Sequence, residues 1–198
     1  ALSAVATGSR GFVLNGQCAG DGSGRSVAGA GDINGDGLAD LIVGANDSQP
    51  AAGDLAGRSY IVFGKTDSGA VDLSAIADGS GGFVINGQYA GDKSGISVAA
   101  AGDNNGDGLA DLSVGTRNEP AAYSFSDAGR SYVVFGTTGT SAIDLSAIAS
   151  GIGGFVVNGQ CAGDRSGRSV AGAGDINGDG LADLIVGAHS SDPAAGID

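Results

Sequence analysis

The sequence predicts an all-β protein made of β-propeller blades, about three of them, each with four short antiparallel strands. Three observations lead there. Gly makes up 40 of 198 residues with only 3 Pro and no Gly-x-y period, while 41% of residues are hydrophobic and 16% charged. That composition excludes collagen and simple disorder and points to many tight turns between short strands. One unit also recurs along the chain: residues 11–45 and 154–188 differ only at Leu14/Val157 and Gly22/Arg165, and residues 82–116 differ from 11–45 at eight positions. Finally, apolar runs are short, β-branched or aromatic and bounded by Gly, and none keeps helical periodicity for three turns.

Each unit reads in the same order. Phe12–Leu14 is the first strand and Arg25–Ala30 the second. A polar loop leads to the third, Asp40–Val43, and a longer one to the fourth, Arg58–Phe63. Val71–Ala77 is a linker with room for one helical turn. The repeats fall at 1–71, 72–143 and 144–198, and the last ends before its counterpart of Gly57–Tyr60 and Gly129–Tyr132. A run such as Leu41-Ile42-Val43 lacks strict alternation, as expected where both faces of a blade are covered by neighbours. A parallel β-helix also has short strands, but its coils are much shorter than ~70 residues. Three blades are too few to close a ring, so the chain is expected either to be part of a longer propeller or to associate with further copies.

The second and third strands are joined by a nonapeptide, Asp-x-Asn-Gly-Asp-Gly-Leu-Ala-Asp, at 32–40, 103–111 and 175–183. Its donors are Asp32, Asn34, Asp36, the Leu38 carbonyl and Asp40 in repeat 1. Repeat 2 offers Asp103, Asn105, Asp107, Leu109 and Asp111, and repeat 3 offers Asp175, Asn177, Asp179, Leu181 and Asp183. Oxygen ligands at alternate positions, with Gly at position 6 for the sharp turn, suit a hard cation, and flexible geometry favours Ca²⁺ over Mg²⁺. The absence of His and Cys from the motif argues against zinc and copper. Position 12 is Val43, Val114 or Val186 rather than Glu, so the loop is not an EF-hand. Three Ca²⁺ ions are expected, one per repeat. The plain alternative is an Asp/Asn/Gly hairpin turn without metal, opposed by the repulsion of three carboxylates gathered in one loop.

Ser26–Ala45, which contains this loop, resembles the FG-GAP repeat of integrin α-subunit propellers and their bacterial relatives, and Tyr60–Gly64 resembles that family's outer strand. The eponymous Phe-Gly is Ser23-Gly24 here, and Gly-Ala-Pro is replaced by Gly44-Ala45-Asn46 and its counterparts. The resemblance implies Ca²⁺ in a hairpin loop on one face of a propeller, usually of seven blades.

Other features carry less. Net charge is −13, and no Lys/Arg cluster is present, which excludes nucleic acid and anionic lipid as natural partners. No apolar run is long enough to span a bilayer. Cys18 and Cys161 occupy one position of repeats 1 and 3, where repeat 2 has Tyr89, and read as small buried or half-buried side chains or as an intermolecular bridge. His189, the only histidine, reads as a solvated loop residue, and no Gly-x-Ser-x-Gly elbow accompanies it. Asp21, Asp92 and Asp164 precede Gly-containing turns and read as turn caps. The loops 46–56 and 117–128 vary between repeats, and the second carries Tyr123 and Phe125, weak candidates for ligand contact or for packing on their own blade.

The expected function is therefore that of a calcium-binding, non-catalytic propeller module of a secreted or cell-surface protein, used for adhesion or for binding a protein or glycan ligand. The alternatives are a structural repeat that self-assembles into a surface or filament array, an accessory domain of a larger secreted enzyme, and a lectin-like site in the variable loops.

Overall fold

The computed structural model describes residues 2–6, 8, 11–117 and 128–191. In chain order the first elements are α1 (Leu2–Ala6), β1 (Leu14–Asn15), β2 (Ser26–Gly31), β3 (Asp40–Ala45), β4 (Arg58–Val62) and β5 (Val71–Asp72). They are followed by α2 (Leu73–Ala77), β6 (Gly82–Asn86), β7 (Ser97–Gly102), β8 (Asp111–Thr116), β9 (Arg130–Val134) and β10 (Ile143–Asp144). The last are α3 (Leu145–Ala149), β11 (Gly154–Asn158), β12 (Ser166–Gly174) and β13 (Asp183–Ala188). The chain is all-β, and the three helices among the described residues are five-residue turns.

Blade 1 is the antiparallel sheet β2-β3-β4-β6, with β10 added in parallel beside β6. Blade 2 is β7-β8-β9-β11, and in blade 3 the described strands are β12 and β13. The blades therefore run out of phase with the sequence repeats. Tyr60 pairs with Val84 and Tyr132 with Val156, so the Phe-Val-Ile/Val-Asn strand of repeats 2 and 3 is the outer strand of the blade before it. Repeats 1–71, 72–143 and 144–198 are units of sequence, and the four-stranded sheets straddle their boundaries. The helical turn explains the offset. Leu73 and Ile76 on α2 are buried against Val62 and Val84, so the chain crosses the blade face before it returns as β6.

Two glycine roles shape each blade. The β2–β3 ladder slips one residue between Gly29 and Gly31, and Gly31 (φ 78°) takes the left-handed conformation that such a bulge requires. Blades 2 and 3 repeat the slip at Gly102 and Gly174. The other role is close approach. A Cβ on Gly44 would strike the Gly95 carbonyl oxygen, and one on Gly115 would strike that of Gly167. The next blade's backbone therefore lies against each of these residues.

The main core lies between blades. Ala30, Ile33, Ile42, Ile61, Phe83 and Ile85 of blade 1 meet Val98, Leu112, Val114, Tyr132 and Val134 of blade 2, with Leu145 and Ile148 of α3 completing the cluster. This explains why β8 is buried along its whole length without alternation. A glutamine in the loop after β1 and another after β6 each hold a Tyr–Arg pair of one strand. Gln17 Oε1 accepts from Tyr60 Oη (2.6 Å) and from an Arg58 guanidinium N–H (2.9 Å). Gln88 does the same with Tyr132 (2.7 Å) and Arg130 (3.3 Å).

Candidate metal centre

The bulge at Gly31 turns the chain out of β2 and directs Asp32 into the loop. Its carboxylate then organises the turn. Oδ1 accepts from the N–H groups of Gly35 (2.8 Å) and Asp36 (3.1 Å), and Oδ2 from that of Gly37 (2.9 Å). Asn34 Oδ1 accepts from Asp36 N–H (2.9 Å), Asp36 Oδ1 from Leu38 N–H (2.8 Å), and the Asn34 amide donates to Asp36 Oδ2 (2.9 Å). These nested Asx turns put the side chains at positions 1, 3 and 5 in one exposed loop. Loop 2 repeats the pattern with Asp103, Asn105 and Asp107. Loop 3 repeats most of it with Asp175, Asn177 and Asp179, but there the Asn177 amide faces Asp183 Oδ1 at 3.5 Å.

Position 9 behaves differently. Asp40 is fully buried. Its Oδ2 accepts from Ile33 N–H at the loop's start (2.8 Å), and its Oδ1 from Gly64 N–H beyond β4 (2.7 Å). Asp111 makes the same pair of bonds with Asn104 (2.8 Å) and Gly136 (2.9 Å), and Asp183 accepts from Ile176 (2.7 Å). This aspartate thus fastens the loop to the body of the blade. The repeated Asp was legible in the sequence, but its partner just past β4 was not, because Gly64 lies 24 residues away.

Among the described residues no three His, Cys, Asp or Glu side chains converge into a ready-made metal cage. The loops gather positions 1, 3 and 5, while position 9 lies behind them on the core side. The leucines at position 7 stand at the loop surface, with Leu38 and Leu181 exposed. The donor chemistry nonetheless fits a hard divalent cation: every side-chain donor is oxygen, and the ion pairs Lys65–Asp67 (2.8 Å) and Lys93–Asp47 (3.6 Å) lie outside the loops. Electrostatics point the same way. Burial pushes the Asp40 carboxyl upward, backbone N–H bonds from Gly64 and Ile33 oppose this, and the charges of Asp36 and Asp32 push it up further. Asp111 follows the same balance with Asp107 and Asp103. Asp103 itself is held below the ordinary carboxylate range, chiefly by the Gly108 N–H. In loops 1 and 2 the carboxylates at positions 1 and 5 therefore repel the buried one at position 9, a situation a cation relieves.

A family model described as the FG-GAP repeat matches residues 23–74 and 166–197. These two segments carry the FG-GAP repeat. Both matched segments open at the same Ser-Gly pair of the repeat, and the first spans β2, β3 and β4 of blade 1 but ends before its outer strand, β6. No curated protein matches the chain.

The remaining residues singled out from sequence divide clearly. Asp92 and Asp164 cap their turns, accepting from Tyr89 N–H (3.1 Å) and Cys161 N–H (2.8 Å). Burial pushes the Asp92 carboxyl up to about 6. His189 is exposed in the turn after β13. Tyr123 and Phe125 lie outside the described residues. The cysteines correct the sequence reading: Cys18 and Cys161 are free thiols and exposed rather than buried. The turn after Asn-Gly-Gln points this position to solvent in every repeat, and Tyr89 is 54% exposed there.

Proposed function

We propose that this chain is a calcium-stabilised, non-catalytic FG-GAP module of a secreted or cell-surface protein, which uses its blades as a rigid scaffold for adhesion or ligand binding. The observation that carries the reading is the threefold recurrence of an all-oxygen loop at one place in the blade, between the inner two strands. Asp32, Asn34, Asp36, Asp40 and the Leu38 carbonyl would hold the ion in blade 1, with the equivalent residues in blades 2 and 3. Bound Ca²⁺ supplies positive charge that cancels the repulsion within each loop and adds a link between the β2–β3 hairpin and its blade. A non-catalytic role is supported by the setting of the single histidine, which stands exposed in a turn. Placement outside the cell or on its surface rests on the family resemblance, and the ligand surface on the loops that vary between repeats. No helix among the described residues is long and apolar enough to cross a membrane.

A cation that binds only the folded state adds about 2.7 kcal/mol per site at a hundredfold excess over its Kd. Three sites should raise the melting temperature by more than about 10 °C for a chain of this size. Thermal unfolding followed by circular dichroism, in Ca²⁺ and then in excess EDTA, should show that drop. Identical melts would remove the calcium reading. The same drop on adding Mg²⁺-saturated chelator would exclude Mg²⁺ as the resident ion.

A further inference from the structure

The sequence holds six Asn-Gly pairs, and the fold puts them in two settings. In such a pair the side-chain amide is open to attack by the next backbone nitrogen, because glycine brings no side chain to obstruct it. Asn86-Gly87 and Asn158-Gly159 close the outer strands of blades 1 and 2. The Asn86 amide donates to Asp144 Oδ1 (2.9 Å), its Oδ1 accepts from the Arg58 guanidinium (2.9 Å), and the Gly87 N–H donates to the Gly57 carbonyl (2.9 Å). The Gly159 N–H is held in the same way by the Gly129 carbonyl (3.0 Å). A carbonyl is no base for these N–H groups, and a Cβ on the buried Gly87 would strike the Ala56 carbonyl, so the backbone there has no room to rearrange.

Asn34-Gly35 and Asn105-Gly106 stand in the β2–β3 and β7–β8 loops with different partners. In loop 2 the Gly106 N–H donates to a carboxylate, Asp103 Oδ1 (2.7 Å). Asn105 Oδ1 accepts from the Asp107 N–H (3.0 Å), and the Asn105 amide nitrogen donates to Asp107 Oδ2 (2.8 Å). Loop 1 has the same three contacts: the Gly35 N–H on Asp32 Oδ1 (2.8 Å), the Asp36 N–H on Asn34 Oδ1 (2.9 Å) and the Asn34 amide on Asp36 Oδ2 (2.9 Å). The three contacts attend the three parts of one reaction. A base holds the proton of the attacking nitrogen, a donor faces the carbonyl oxygen where negative charge develops, and an acceptor holds the nitrogen that leaves. Asn105 is exposed to water although blade 2 has a blade packed on either side.

We propose that Asn34 and Asn105 are self-modification sites, at which the loop deamidates its own asparagine through a cyclic imide. The glycine nitrogen bonds to the asparagine Cγ, and its proton passes to the carboxylate at loop position 1. The Cγ–Nδ2 bond then breaks, and the nitrogen leaves as ammonia with that proton. Water opens the imide at either carbonyl and leaves an aspartyl or an isoaspartyl residue. Water is the only co-reactant, and the reaction does not rest on calcium binding. Either product adds a negative charge at position 3 of the loop, and the isoaspartyl form also lengthens the backbone between positions 3 and 4. Modification thus alters the same oxygen pattern that the loop presents to a cation.

The test is peptide mass spectrometry of the full chain after incubation in EDTA at neutral pH, folded and unfolded in urea, which reads amide-to-acid conversion at each asparagine. In the folded chain Asn34 and Asn105 should convert about tenfold faster than in urea, while Asn86 and Asn158 convert more slowly than in urea. The folded rate at Asn105 should also rise less steeply with pH, because a carboxylate rather than hydroxide takes the proton. Asp103→Asn keeps an oxygen for the loop's N–H groups and removes the base. It should slow conversion at Asn105 and leave Asn34, in the same molecule, unchanged, with circular dichroism checking the fold. If that variant does not fold, the folded-against-urea comparison of the unaltered chain decides alone. Conversion at Asn34 and Asn105 no faster in the folded chain than in urea overturns the proposal. So does a folded Asp103→Asn chain in which Asn105 converts at the unaltered rate.

Discussion

Asp111→Ala should lower stability by roughly 3–5 kcal/mol, as read by urea unfolding, even in EDTA. The Asp111 carboxylate is fully buried and accepts two backbone bonds, from Asn104 (2.8 Å) and Gly136 (2.9 Å). Alanine leaves both N–H groups without their charged acceptor, and bonds to charged groups contribute about 1.5–3 kcal/mol each. The matched control is Asp107→Ala. Asp107 is exposed and bonds only within its own turn, through Leu109 N–H (2.8 Å) and the Asn105 amide (2.8 Å). Its loss should cost about 1 kcal/mol in EDTA and clearly more in Ca²⁺, where a ligand also disappears. The pair separates the fastening of the loop to the blade by position 9, with or without metal, from the proposed role of position 5 as a ligand. Equal costs for Asp111→Ala and Asp107→Ala in EDTA would show that position 9 is no fastener.

Gly115→Ala should cost about 3 kcal/mol or more, while Gly187→Ala should be close to neutral. The two glycines hold the same place in β8 and β13. A Cβ on Gly115 would run into the Gly167 carbonyl and the Ser97 hydroxyl, which itself donates to that carbonyl (2.7 Å). The obstructing atoms include backbone of the next blade, so relief requires blades 2 and 3 to part, at the high end of overpacking costs. On Gly187 the nearest atom is the Ser169 Cβ at 3.4 Å, and the added methyl fits. Gly44→Ala should behave like Gly115→Ala, because Gly95 crosses it in the same way. Equal melting temperatures for Gly115→Ala and Gly187→Ala would mean that the blades do not pack as closely as described.

The sequence made the strands and the loops legible because their signals are local. Gly-bounded β-branched runs marked β2, β3 and β4 to within two residues, and the single helical turn expected in Val71–Ala77 is α2. The phase of the blades was not legible. Phe12–Leu14 and its copies read as first strands because they come first, yet pairing is decided by register across the sheet, and Gly82–Asn86 fits against Arg58–Val62. The loop showed its oxygen-bearing side chains but not their division of labour: Asp32 and Asp40 are the same residue type eight positions apart, one turned into the loop and one sealed behind it. Near-identity between repeats also hid their unequal settings. Ile33 and Ile176 lie in the same pentapeptide, and only the presence of a following blade makes one core and the other surface. The cysteines were misjudged on general burial tendency, which a turn that faces solvent overrides.

Isothermal titration calorimetry of the metal-stripped chain with Ca²⁺ asks whether each loop takes one calcium ion. About three ions per chain are expected, falling by one in each of Asp36→Ala, Asp107→Ala and Asp179→Ala. Saturable binding absent from the intact chain, or a stoichiometry unchanged by all three substitutions, would contradict the calcium reading.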